Sequence, residues 1–142
     1  TSYAHLMLCG DRRTNTWRNN QDSSKPVFST RTPKDGATSG AEYTDSPTLL
    51  IHGGKKEWNG QIAFNDNHVE YSKSVYPNNV AYECGDRALT KDNIGGAEFG
   101  ECEGGSGENG WKAGDTWICL SETIIKVGND WKNLPLYDKL NN

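Results

Sequence analysis

The chain has 142 residues, 33% of them hydrophobic, and 15 Lys and Arg stand against 19 Asp and Glu for a formal charge of −4. That length suits one domain spanning residues 1–142, with room for a core that removes roughly two-thirds of the unfolded surface from water. No apolar run approaches the roughly 20 residues of a membrane span, and an acidic balance without a basic cluster argues against nucleic acid as a partner.

The elements follow in short, evenly punctuated pieces. Residues 4–9 are apolar and close at Gly10, which predicts a strand. Residues 10–47 form the most polar third, with Trp17, Val27, Phe28 and Tyr43 as its anchors to a core. A structureless loop of that length is uncommon, so short strands are predicted around 27–28 and 41–43. Lys34-Asp35-Gly36 is turn chemistry, because glycine supplies positive φ. Residues 48–52 read as a buried strand ended by Gly53-Gly54. Residues 61–64 alternate, Asn65-Asp66-Asn67 makes a turn, and Val69, Tyr71 and Val75 then share one face against His68, Glu70, Ser72 and Ser74 on the other. A hairpin of 61–64 with 68–75 is therefore predicted.

Val80, Tyr82 and Cys84 alternate again, and residues 86–91 are predicted to make one helical turn capped by Asp86. Eight of the 16 glycines fall within residues 95–114, marking connections or bulges. Residues 116–120 and 123–127 form the strongest apolar region, β-branched on both faces as in a central strand or hairpin. The tail carries Trp131, Leu134, Leu136, Tyr137 and Leu140 and is expected to fold back onto the domain. The fold class is all-β, or mainly β: a single antiparallel β-barrel or sandwich with long loops and at most one or two short helices.

The chain starts at Thr1, and its single methionine, Met7, lies inside an apolar stretch, which reads as a mature chain whose leader has been removed. Cys9, Cys84, Cys102 and Cys119 make an even four without a C-x-x-C pair or a histidine at zinc spacing. Two disulfides and an extracellular location are expected. Of the three connectivities, Cys9–Cys119 with Cys84–Cys102 is favoured. The segment between 84 and 102 is a Gly- and Asp-rich loop that a clip would close, and Cys9 and Cys119 sit in apolar runs near opposite ends. In the chain-entropy description the short loop contributes about 3 kcal/mol and the long one about 4–5 kcal/mol. There is no N-linked glycosylation sequon.

Candidate chemistry is sparse. A ribonuclease needs a base, an acid and a cation. His68 and Glu70 lie two apart on one strand face, His52 closes the preceding segment, and Arg87 or Lys73 can supply the charge. This is the outline used by small fungal guanyl-type ribonucleases, without their characteristic clustering of residues; the plainer reading is a solvated strand face. Glu98, Glu101, Glu103 and Glu108 lack the regular oxygen-donor alternation of a calcium loop. No cofactor or metal is expected, and no nucleophile elbow, P-loop or metalloprotease helix is present. Trp117 reads as core. Trp17, Trp58, Trp111 and Trp131 stand among polar residues, either folded over strand ends or exposed as stacking surfaces, and Trp58 and Trp111 adjoin Asn-Gly turns.

In mature length, acidity, four spread cysteines and an Asn-, Gly- and Trp-rich strand-and-turn texture, the chain resembles the hypersensitive-response-inducing elicitors of the rice-blast type. That resemblance implies a protein secreted by a filamentous fungus during plant infection, with a compact disulfide-bonded β fold. It implies a surface perceived by, or bound to, a plant host protein or cell-surface component, without catalysis. It carries no residue roles. Trp17, Trp58, Trp111 and Tyr76 are the candidate contacts. A secreted ribonuclease-like hydrolase using His52, His68, Glu70 and Arg87, and a lectin-like carbohydrate binder, are the alternatives. Peptide mapping under non-reducing conditions is expected to recover Cys9 linked to Cys119 and Cys84 to Cys102; free thiols at all four positions would remove the argument for secretion.

Overall fold

The computed structural model describes residues 2–6, 8, 13, 16–19, 21–52, 56–84, 87–89, 91–96, 116–127 and 130–136, with the backbone alone described at 82–84, 87–89, 121–127 and 130–136. Its framework is a six-stranded antiparallel sheet in the order β4-β3-β2-β1-β7-β8. The strands are β1 (Tyr3–Leu6), β2 (Pro26–Thr30), β3 (Gly60–Phe64), β4 (Val69–Ser72), β7 (Ile118–Val127) and β8 (Asp130–Leu136). A separate two-stranded ladder joins β5 (Tyr82–Cys84) to β6 (Arg87–Leu89). The protein is thus mainly β, as expected. Among the described residues the large sheet is open, with β4 and β8 at its two ends. No helix among the described residues is long and apolar enough to cross a membrane.

The predicted hairpin forms. β3 and β4 pair from Gly60↔Ser72 to Ala63↔Val69. The reversal is set by Asn67 at φ 72°, a conformation that asparagine tolerates better than most residues. Asn67 N–H donates to Phe64 O, and Phe64 N–H to His68 O, both at 3.0 Å. Alternation along β3 places Ile62 and Phe64 in the core. On β4 the apolar face is not covered by any described residue: Val69 is 61% exposed and Tyr71 is also exposed, because the register sets them opposite Ala63 and Gln61, on the face away from Ile62 and Phe64. Val75, beyond the strand, is the buried member of that set.

Three local expectations are corrected. Residues 49–52 form one helical turn, α2 (Leu49–His52), instead of a strand. Ser46 and Pro47 set it up: the Ser46 and Thr48 hydroxyls share a 2.7 Å hydrogen bond, and Leu49, Leu50 and Ile51 donate to the carbonyls of Ser46, Pro47 and Thr48. Proline is preorganised for the start of a helix. Leu49 is buried and Leu50 is 60% exposed, so the apolar run is read by a helix face. Residues 41–43 belong to α1 (Ala41–Thr44), entered from Gly40 at φ 78°. The helical turn expected over 86–91 is replaced by β6, which pairs with β5. The turn at 34–36 is as predicted, with Gly36 at φ 63°.

The core gathers Leu6, Leu49, Trp58, Ile62, Phe64, Val75, Val80, Ile94 and Ile118. Trp58 is its largest member and is only 2% exposed. Its indole N–H donates to Arg31 O at 2.7 Å, satisfying the polar edge that a buried tryptophan carries. Tyr43, an anticipated anchor, packs against the core and accepts from the Trp58 backbone N–H at 3.0 Å. Gly60 lets the ring lie flat against β3: a Cβ there would stand 2.5 Å from the indole. A buried strap at Asp92–Ile94 closes the other side. Asp92 and Ile94 donate to Val80 O and Val75 O, while Ile94 O and the Asp92 carboxylate accept from the Ile118 and Thr116 N–H groups. Trp58→Ala is expected to cost about 3–5 kcal/mol and Gly60→Ala about 1–3 kcal/mol, read by urea denaturation as a lowered midpoint with an unchanged slope.

Candidate functional site

A groove of about 350 Å³ opens beside the β2–β3 end of the sheet, lined by Trp17, Arg18, Asn19, Val27, Phe28, Phe64, Asn65 and Asn67. Each wall has a local cause. Residues Pro26 to Phe28 carry a register shift against β3, which turns Val27 and Phe28 out of simple alternation at the groove. The Trp17 ring meets Phe28 edge-on, centroids 5.5 Å apart at 63°. Both remain open to solvent, at 37% and 45% exposure.

Asn65 fixes the geometry. It is buried at the end of β3; its backbone N–H donates to Lys25 O at 2.9 Å and its side-chain amide donates to Thr16 O. One residue therefore ties together the Trp17 segment, the approach to β2 and the β3–β4 turn. Asn19 and Asn67 are exposed beside it, and Arg18 is the charged residue among those lining the groove.

Against Phe64 lies a hydrogen-bonded clamp. The His68 imidazole stacks on the Phe64 ring, centroids 4.4 Å apart and nearly parallel. Its Nδ1 bonds the Asp66 carboxylate and its Nε2 lies 3.3 Å from Glu70 Oε1. Asn79 donates from Nδ2 to the same Glu70 oxygen at 3.2 Å. The Asp66 hydrogen bond, helped by the Glu70 charge, holds the His68 pKa above the ordinary histidine value, and the same bond holds Asp66 below the ordinary carboxylate value.

Of the residues singled out in the sequence, His68 and Glu70 do meet. His52 is exposed at the end of α2, and among the described residues no hydrogen bond or ion pair joins it to them. The backbone of Arg87 lies in β6, outside the six-stranded sheet. With both ring nitrogens engaged by carboxylates, His68 acts as a brace under the hairpin turn. Asp66 is the partner that sequence reasoning missed; its D-x-H spacing was the available signal.

Among the candidate contacts, only Trp17 stands at an open surface among the described residues. Trp58 is buried against Arg31 O, since its polar neighbours in sequence project away from the ring's site in the core. Tyr76 is half-buried, packs against the core, and its hydroxyl accepts from Asn93 Nδ2 at 3.2 Å. Trp117 is core, as expected. Trp111, Cys9, Cys102 and the acidic residues from Glu98 to Glu108 lie outside the described residues; Cys119 is buried in β7 opposite His5. Among the described residues no group of His, Cys, Asp and Glu is arranged to hold a metal ion.

Comparison of the chain with protein-family models, with curated proteins and with solved structures gives no match.

The clamp has a signed pH dependence. A histidine raised on folding contributes stability below its unfolded pKa of about 6.5, and that stability is lost as pH rises through the folded value. A lowered Asp66 contributes above about 3.8 and loses its contribution as pH falls through its folded value. The melting temperature of the wild-type protein is expected to exceed that of His68→Ala most between about pH 4 and pH 6.5, with the gap narrowing toward about pH 9. A gap constant across that range would show that His68 acts through packing on Phe64 alone.

Proposed function

We propose that this protein is a secreted recognition protein of the elicitor or effector kind, which binds, or is perceived by, a plant host protein or cell-surface component and performs no catalytic step. The observation that carries the reading is the Trp17 groove: an exposed aromatic corner held in place by Asn65 and mounted on antiparallel strands. A rigid mount lowers the ordering cost of binding, and aromatic residues give large contact area for little lost rotamer freedom. The resemblance to rice-blast-type elicitors supports a plant host, and an even cysteine count supports an extracellular location. Further curling of the sheet into a barrel or sandwich belongs to the same proposal, as do the two disulfides.

A second reading, a ribonuclease-like hydrolase, draws on the His68–Glu70 approach alone. It is the weaker of the two, because among the described residues no hydrogen bond or ion pair joins His52 to that pair, and His68 Nδ1 is already engaged by Asp66. Infiltration of pure folded protein into leaves is expected to raise a defence response that Trp17→Ala diminishes and His68→Ala leaves in place. Absence of any response to folded protein would overturn the recognition reading, and RNA cleavage lost in His68→Ala would put the hydrolase in its place.

A further inference from the structure

The groove also has a charge that differs from the protein's own. The chain carries −4, yet the charged residue among those lining the groove is Arg18, and among the described residues no carboxylate lines it. Its apolar side is the Trp17–Phe28 corner with Val27 and Phe64, and its polar side offers the exposed amides of Asn19 and Asn67. A volume of about 350 Å³ sits at the small end of the range for small-molecule sites, roughly 300–1,000 Å³.

Taken together, these features describe a ligand with three properties. It has a flat apolar C–H face for an aromatic platform, vicinal hydroxyls that both donate and accept for side-chain amides, and a negative group for a guanidinium. We propose that the groove binds the end of an oligosaccharide through a sugar residue bearing a carboxylate, a hexuronate, with the ring against Trp17, hydroxyls on Asn19 and Asn67, and the carboxylate on Arg18. The inference rests on the recognition reading above and names the chemistry of its ligand.

A nucleic acid strand fits less well. Phosphate tracking draws on several cations where the described lining of this groove has one, and a 63° corner offers no pair of parallel faces between which a base can stack. Asn65 is a positioning residue: its amide is spent on Thr16 O and holds the platform over the turn.

Isothermal titration of the intact chain with trigalacturonate, and with the same trisaccharide fully methyl-esterified, tests the assignment. The acid is expected to bind at least about tenfold more tightly than the ester, since a charge-assisted bond is at stake. That preference should shrink as sodium chloride is raised. Arg18→Gln is expected to equalise acid and ester while keeping the melting temperature of the wild type, and Trp17→Ala to lose both ligands.

Equal binding of acid and ester by the wild type, or tighter binding of a uridine hexanucleotide, would overturn the hexuronate assignment. So would the absence of binding in protein that still raises a leaf response, leaving the recognition reading intact. Binding of trigalacturonate by protein that raises no response would uphold the assignment and overturn perception by the host.

Discussion

The surface described above depends on one buried amide. Asn65 sits where β3 ends, and its two donated hydrogen bonds reach back 40 or more residues, to Lys25 O and Thr16 O. Trp17 itself meets the sheet through the edge-on contact with Phe28. A buried polar group left without partners costs free energy, so the amide and the loop it holds stabilise each other. Sheet and loop thereby become one surface, and Trp17, which local polarity would leave to solvent, acquires a fixed pose beside Phe28 and Phe64.

The hairpin turn that carries Asn65 is also braced by His68. His68 lies flat on Phe64 with a carboxylate at each ring nitrogen, and Asn79 reaches Glu70 from beyond the strand. The pattern is that of a hydrogen-bonded support. His68 and Glu70, which suggest acid–base work in the sequence, are joined in the fold by Asp66 and brace the β3–β4 turn.

Local chemistry made part of this legible in the sequence. Turns announced themselves at Lys34-Asp35-Gly36 and Asn65-Asp66-Asn67, because few residues accept positive φ, and the alternation through Gln61-Ile62-Ala63-Phe64 marked a strand with one buried face. Long-range effects stayed hidden. The apolar run at 48–52 has the length of a strand, and only the Ser46-Pro47 start turns it into helix α2. Trp58 has Glu, Asn and Gly as sequence neighbours, yet a missing side chain at Gly60 makes room for its ring inside. The strap at Asp92–Ile94 looks like a solvated linker until its backbone and carboxylate are seen to hydrogen-bond Val75, Val80, Thr116 and Ile118. Trp17 was legible as a tryptophan out of place among polar residues; its partners Asn65 and Phe28 were not.

The central proposal is that recognition takes place at the Trp17 groove. Backbone amide chemical shifts, followed by NMR while trigalacturonate is added to the isotope-labelled protein, test it residue by residue. The account predicts perturbations confined to the signals of Trp17, Arg18, Asn19, Phe28 and Asn67 and their immediate neighbours. Perturbations gathered instead on the exposed β4 edge around Val69 and Tyr71, or spread evenly over the sheet, would contradict it.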